Sequence, residues 1–304
     1  MHKLQERDTA MTALRIARHD GEPEIEADGG RAPATPLAAA PAGATETRPA
    51  RRGQLTIRGL RKSFGGTVVY DGFDLDLPLG AFVSVFGPNG CGKSTLINMI
   101  SGLMPRDGGE VLYDGQSIRD TRISYVFQNY REALFPWLRA IDNIHYPLKI
   151  KGMPKKARTA RVEQLIADFG IKIDLNAYPY QLSGGQQQAV SILRALAPEP
   201  EVLFLDEPFS ALDYEMTLLM REKLQAIFQK TGTTMMLVSH DLEEAVQMAD
   251  HVLLLTRRPT RVAALVDNPL PRPRDAATLI GADFVALRSQ CLEIFQREAR
   301  VETL

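Results

Sequence analysis

Gly87-Pro88-Asn89-Gly90-Cys91-Gly92-Lys93-Ser94-Thr95 fits G-x-x-x-x-G-K-[ST], the pattern of a phosphate-binding loop. Its glycines let the backbone curl until several N–H groups face one anion. Lys93 adds a mobile point charge for the β- and γ-phosphates, and Ser94 a hydroxyl for the Mg²⁺ that bridges them. Ala81–Phe86 is an apolar run and reads as a buried strand ahead of the loop. Thr95 to Ser101, with Leu96, Ile97, Met99 and Ile100, reads as a helix behind it, so that a helix N-terminus faces the phosphates. A glycine-rich turn matching by chance somewhere in such a chain has odds of roughly one in a hundred. The strand-loop-helix context lowers them further, and the loop is read as a nucleotide site.

Val202-Leu203-Phe204-Leu205-Asp206-Glu207 ends an apolar run in two acids. Such a run suits a strand buried on both faces of a parallel sheet, where charges are rarely placed without a partner. Asp206 is suited to hold Mg²⁺, usually through water, and Glu207 to take a proton from an attacking water. The plain alternative is a helix start, since Pro208 follows and Ser210 can open a helix. Leu182-Ser183-Gly184-Gly185-Gln186 supplies a second anion-binding helix N-terminus; taken alone, Ser183 is an ordinary cap. One nucleotide needs one cradle, so two cradles in a chain point to a nucleotide held by another copy.

The order of these segments, from about Leu55 to about Asp275, resembles the ATP-binding subunits of ABC transporters. Gly87–Ser94 looks like Walker A, and Gln128 in Tyr125-Val126-Phe127-Gln128 like the Q-loop glutamine. Leu182 to Gln186 matches the LSGGQ signature. Asp206 and Glu207 look like the Walker B acids, Ser210-Ala211-Leu212-Asp213 like the D-loop, and His240 like the switch histidine. Phe64 stands where family members stack an aromatic ring on adenine. Phe135-Pro136-Trp137-Leu138 and Leu270-Pro271-Arg272-Pro273-Arg274-Asp275 resemble the nitrate, sulfonate and taurine importers. His240-Asp241-Leu242-Glu243-Glu244-Ala245 is typical of importers more widely. Ala189 and Leu193 depart from the basic and small residues usual on the signature helix, and Gln128 to Phe135 is longer than the common form.

The resemblance implies an α/β P-loop NTPase of ABC type. It has a RecA-like parallel-sheet core, an N-terminal antiparallel β subdomain and an inserted α-helical lobe. It also implies an ATPase that works as a homodimer on transmembrane permease subunits, fed indirectly by a solute-binding protein, at the cytoplasmic face of the membrane. Each ATP is then sandwiched between Gly87, Pro88, Asn89, Gly90, Cys91, Gly92, Lys93, Ser94 and Thr95 of one copy and Ser183, Gly184, Gly185 and Gln186 of the other. Lys93 and the loop amides hold the phosphates. Ser94, Asp206 and Gln128 hold Mg²⁺ directly or through water, Glu207 activates the water, His240 orients the γ-phosphate, and Asp213 communicates across the dimer. The rival readings are an importer ATPase for a different solute, an ATP-binding regulator without turnover, against which Glu207 and His240 argue, and a soluble ABC ATPase of DNA repair or translation. Those usually carry coiled-coil insertions, zinc cysteines or a second cassette, and the sequence displays none.

The 304 residues carry 36 Lys and Arg against 37 Asp and Glu, a net charge of −1. That length suffices for one sizeable α/β domain with a short second lobe, and the balance argues against nucleic acid as the primary partner. Two cysteines, Cys91 and Cys291, fit a reducing compartment; Cys91 reads as a small residue tolerated in the loop. No apolar run approaches the ~20 residues that cross a bilayer, and Met1 to Asp28 lacks the apolar centre of a secretory signal. Residues 1–52, rich in Ala and Pro, read as a disordered tail, with a short transient helix over Thr12 to Arg18. Residues 53–275 form the ATPase domain, with the helical lobe at about 129–192. There Leu165, Ile166 and Phe169 share a face. Residues 276–304 form a helical extension, with Phe284, Leu287, Cys291 and Phe295 at helical spacing. Met235-Met236-Leu237-Val238 and His251–Leu255 read as core strands, the methionines as filler. Phe135 and Trp137 flank a proline, and two readings stand: an exposed docking surface for the permease, or anchors of the lobe in the core.

Overall fold

The computed structural model describes residues 53–170 and 172–300; the expected tail and its transient helix lie outside the described residues. Two sheets organise the chain. The first is antiparallel, in the order β2-β1-β4-β5, built from β1 (Gln54–Phe64), β2 (Thr67–Pro78), β4 (Gly108–Tyr113) and β5 (Gln116–Ser117). The second runs β10-β9-β3-β8-β7-β6, with β3 (Phe82–Phe86), β6 (Ile123–Val126), β7 (Val202–Asp206), β8 (Thr234–Val238), β9 (His251–Leu255) and β10 (Val262–Asp267). All its neighbours are parallel except the edge strand β10. This is the cassette architecture that the sequence implied.

The central strands read as unbroken apolar runs because both their faces are covered. Phe82, Met235, Leu237, Leu203 and Leu205 point into one core, shared with the helices of the lobe. Val83, Val85, Met236, Val238 and Phe204 point into the other, under the antiparallel sheet and α1 (Lys93–Ile100). Met235 and Met236 are fully buried, as core filler. The expected lobe consists of α2 (Tyr130–Ala133), α3 (Ala140–Ile150), α4 (Lys155–Phe169) and α5 (Gly184–Leu196), so α5 continues past residue 192 into the core. Leu165 and Phe169 are buried and Ile166 is half-buried on the same side. Ala189 and Leu193 are both buried in the core, which gives their apolar character a packing reason.

After α6 (Tyr214–Thr231) and α7 (Leu242–Met248), the chain closes with α8 (Ala276–Leu279) and α9 (Ala282–Arg300). Phe284 and Cys291 are buried, and Leu287 and Phe295 pack against the main core. The Phe295 ring meets Phe86 edge-on at 5.1 Å, just ahead of the phosphate loop. The extension is therefore part of the core that supports the site. Phe284→Ala should cost about 3–5 kcal/mol, the usual range for a buried Phe, read as a lowered midpoint in denaturant unfolding; an unmoved midpoint would make the extension peripheral.

Candidate active site

β3, β8 and β7 lie side by side and parallel, with β6 beyond β7. Their C-terminal ends therefore open on one edge, the usual place for ligands in such sheets. Each end delivers one element: the phosphate loop after β3, Gln128 after β6, Asp206 and Glu207 after β7, and His240 after β8.

The loop is held from three sides. Lys93 Nζ turns back onto the carbonyls of Gly87 at 2.9 Å and Pro88 at 3.2 Å. Tyr70 of β2 donates its hydroxyl to the Gly92 carbonyl at 3.0 Å, and Thr260 donates to the Cys91 carbonyl. Gly92 caps α1 with φ of +114°, a left-handed conformation open to glycine. A Cβ there would stand 2.6 Å from Val69 Cγ1. Burial pushes the Cys91 thiol up, so it is a packed residue and a poor nucleophile. Phe64, on the same hairpin as Tyr70, keeps 46% of its surface exposed with the Lys62 ammonium 5.2 Å from its ring centroid, an open face suited to stacking.

The acidic pair is wired differently residue by residue. Ser94 Oγ donates to Asp206 Oδ1 at 3.1 Å and the Tyr125 hydroxyl to Asp206 Oδ2 at 3.3 Å. Burial raises the Asp206 carboxyl above its ordinary value, against the pull of those two hydrogen bonds. Glu207 carries φ of +47°, a strained setting for a non-glycine residue and one that clusters at functional sites. Its Oε2 accepts from Gln128 Nε2 at 2.8 Å and lies 3.3 Å from His240 Nδ1. Gln128, Glu207 and His240 thus form one chain of contacts, and Ser94 with Asp206 another beside it. Within hydrogen-bonding distance, Gln128 meets Glu207 and neither Ser94 nor Asp206.

Ser94, Asp206 and Gln128 offer a hydroxyl, a carboxylate and an amide oxygen, all hard donors of the kind Mg²⁺ takes. Among the described residues no cluster of three His, Cys, Asp or Glu can cage a metal.

Ser183 stands at the N-cap of α5. Ser183 Oγ accepts from Gln186 N at 3.3 Å, while Gln186 Oε1 accepts from Ser183 N at 3.0 Å, a reciprocal capping box. Among the described residues no hydrogen bond or ion pair joins Ser183–Gln186 to the phosphate loop. Gly184 instead abuts the Tyr130 hydroxyl, 2.6 Å from where a Cβ would stand, and Gly185 abuts Leu212. Asp213 caps α6, accepting from Met216 N at 2.8 Å, and Ser210 opens no helix.

The ABC transporter family matches residues 70–210. MJ0412 of Methanocaldococcus jannaschii, an uncharacterized ABC transporter ATP-binding protein, is 38% identical over 251 residues, covering 81% of this chain and 92% of its own. The chain belongs to the ABC transporter family, as an ATP-binding cassette. A sulfate/thiosulfate import ATP-binding protein, CysA of Neisseria meningitidis, is 40% identical over 212 residues, 66% of this chain and 58% of CysA. The cassette thus spans little more than half of that relative. The dimeric post-hydrolysis structure of the cassette MJ0796 bound to ADP and Pi superposes with a TM-score of 0.63 at 29% identity, over 71% of this chain and all of that one. ATP binding and ATPase activity follow from membership.

Three contacts of the cassette's site escaped the sequence reading: Tyr125 on Asp206, Tyr70 on Gly92 and Thr260 on Cys91. Tyr125 and Tyr70 sit at strand positions whose alternation reads as core, and Thr260 is brought to the loop only by the fold. Proximity to Gln128 was the one available signal for Tyr125. Gly92→Ala should weaken ATP binding at least tenfold and cost about 1–3 kcal/mol of backbone strain; calorimetric titration with ATP and thermal unfolding read both. Wild-type affinity would show that the loop tolerates a side chain at its tightest point.

Proposed function

We propose that the cassette is the ATP-hydrolysing subunit of an importer for a small anionic solute, acting as a homodimer on membrane permease subunits at the cytoplasmic face. The observation that carries the catalytic reading is the convergence of Gln128 and His240 on the carboxylate of Glu207, beside Asp206 and Ser94. Import is supported by relatives whose names are sulfate/thiosulfate, glycerol-3-phosphate and spermidine/putrescine import proteins. Two of these three relatives are named for anions. The Phe135–Leu138 and Leu270–Asp275 segments support the narrower nitrate, sulfonate or taurine class. Among the described residues no helix is long and apolar enough to cross a membrane, so passage of the solute falls to partner chains.

In this mechanism Lys93 exchanges the carbonyls of Gly87 and Pro88 for the β- and γ-phosphates, a charge-assisted contact stronger than the one it gives up. Mg²⁺, held by Ser94, Asp206 and Gln128, would neutralise charge on the transferring phosphoryl group. Tyr125 and Ser94 orient the Asp206 carboxylate through its two oxygens. Glu207 takes the proton of the attacking water, with Gln128 and His240 fixing its Oε2. Phe64 stacks on adenine. Ser183, Gly184, Gly185 and Gln186 receive the γ-phosphate of the nucleotide bound by the second copy, and Asp213 lies at that junction. ATP favours the closed dimer and hydrolysis releases it, a shift driven by differential affinity. Glu207→Gln should retain ATP binding and lose roughly 10²–10⁴-fold in turnover, the usual worth of a general base. Steady-state phosphate release within a few-fold of wild type would remove Glu207 from the mechanism.

Permease docking is proposed at Phe135 and Trp137. Leu134 is the buried anchor of this segment, while Trp137 is 70% exposed, so the core reading fails for the tryptophan. Phe135 is half-buried, its ring 5.5 Å from Trp137, 4.6 Å from Tyr146 and 5.7 Å from the Arg194 guanidinium. On the far side of α2 a groove of about 500 Å³ is lined by Leu103, Met104, Tyr125, Phe127 and Gln128, which joins an apolar surface to the catalytic glutamine. Trp137→Ala should leave folding and ATP binding intact and weaken assembly with the co-purifying permease about 30-fold, from ~2 kcal/mol for an aromatic anchor. A lowered melting temperature with normal assembly would place the docking surface elsewhere.

A further inference from the structure

The Leu-Pro-Arg-Pro-Arg-Asp segment after β10 has no part in the chemistry above, yet the side chains of its two arginines enter the protein interior. α7 has seven residues, too few to be stable alone, and its last four carbonyls have no partners within the helix. The two arginines of the segment serve three of the carbonyls that follow Ala245, and Asn268, just ahead of it, serves the fourth. Val246 O accepts from Asn268 Nδ2 at 2.7 Å, and Gln247 O from the Arg274 guanidinium at 3.3 Å. Met248 O accepts from Arg272, and Ala249 O from both Arg274 and Asn268. Two cations at a helix C-terminus also complement its dipole.

The arginines are themselves tightly held. The Arg272 guanidinium lies 5.5 Å from the Phe82 ring and 4.7 Å from that of Phe228, and bonds Asp250 at 2.9 Å. Arg274 is buried, which lowers its guanidinium to about 10 and leaves it charged at neutral pH. Gln225 of α6 accepts from Arg272 at 3.2 Å and from Arg274 N at 3.1 Å. The Arg274 carbonyl in turn accepts from Gln225 at 3.1 Å and from Gln247 of α7 at 3.0 Å. At the opposite end of α7, Asp241 caps the helix, accepting from Glu243 N at 2.8 Å. His240 immediately precedes it, 3.3 Å from Glu207. A helix gripped at its C-terminus and capped at its N-terminus carries the switch histidine as a rigid arm.

We propose that Arg272 and Arg274 are positioning residues for ATP hydrolysis: by holding the C-terminal carbonyls of α7 they fix the helix whose other end sets His240 against Glu207. The proposal rests on the role of His240 given above. Misplacement of a catalytic group by about 1 Å costs up to 10²-fold, so a loosened α7 lowers kcat. The phosphate loop and Phe64 are untouched, so KM for ATP holds.

Arg272→Lys keeps the charge and loses the planar fork that reaches several acceptors at once. In the full chain it should lower kcat about tenfold with KM for ATP unchanged within about twofold. In a His240→Ala background the same substitution should change kcat less than about twofold, because residues acting through one another are not additive. Hydrogen exchange should quicken over 242–249 and stay as in wild type over 93–100. A folded Arg272→Lys protein with wild-type kcat overturns the proposal, as does an equal tenfold loss with and without His240. If Arg272→Lys does not fold, Arg274→Lys, which gives up the fork shared between Gln247 and Ala249, is read by the same pair of backgrounds. His240→Ala alone separates the two layers. If it turns over ATP like wild type, the switch role falls and the positioning role with it; if it is slow while the strap variants are not, only the positioning role falls.

Discussion

The structure depends on the burial of a parallel strand ladder. β3, β8 and β7 are covered on both faces, so their side chains are apolar apart from Ser84, Thr234 and Asp206, and the charged groups collect where the strands end. Because the strands are parallel and adjacent, those ends coincide at one edge. The phosphate loop, the two acids and the switch histidine come from segments far apart in sequence, and this packing alone makes them neighbours. The antiparallel sheet and the C-terminal helix serve the same edge: Tyr70 reaches Gly92 from the sheet, and Phe295 of the helix packs against Phe86.

Much of this was legible because a phosphate cradle needs specific residue types at fixed spacing. Glycine at 92 is demanded by a left-handed turn and by Val69, lysine at 93 by charge, and serine at 94 by its hydroxyl. The apolar runs before Gly87 and Asp206 marked both buried strands, and Ser183 read as the cap of the helix that follows it, while the reciprocal contact of Gln186 is supplied by the structure. The less legible contacts belong to ordinary residue types. Tyr125 and Tyr70 read as strand core, and nothing local reveals that their hydroxyls meet Asp206 and Gly92. Trp137 shows the converse. Its burial could not be decided from its neighbours, because the fold assigns the anchoring role to Leu134 and leaves the indole outside. Arg272 and Arg274 stood out as a motif without a role until the carbonyls of α7 were placed beside them.

The two cradles of one chain are wired to different neighbours. The first is tied to the acids through Ser94 and Asp206, the second to α2 and the D-loop through Gly184 and Gly185. Gln128 and Tyr130 lie two residues apart, one on Glu207 and the other on Gly184. One short stretch thus touches both the Glu207 carboxylate and the start of α5, and in the proposed sandwich it would link the state of one nucleotide to the cradle offered to the next.

The account stands most directly on whether ATP joins two copies through those cradles. Light scattering of the Glu207→Gln chain, with and without saturating ATP, reads this as mass. The account predicts a shift from the 33.7 kDa monomer to twice that value on adding ATP, and no shift when Ser183→Arg is combined with Glu207→Gln. Stoichiometric ATP binding with the mass held at the monomer value, in the presence of the permease as well, would contradict it.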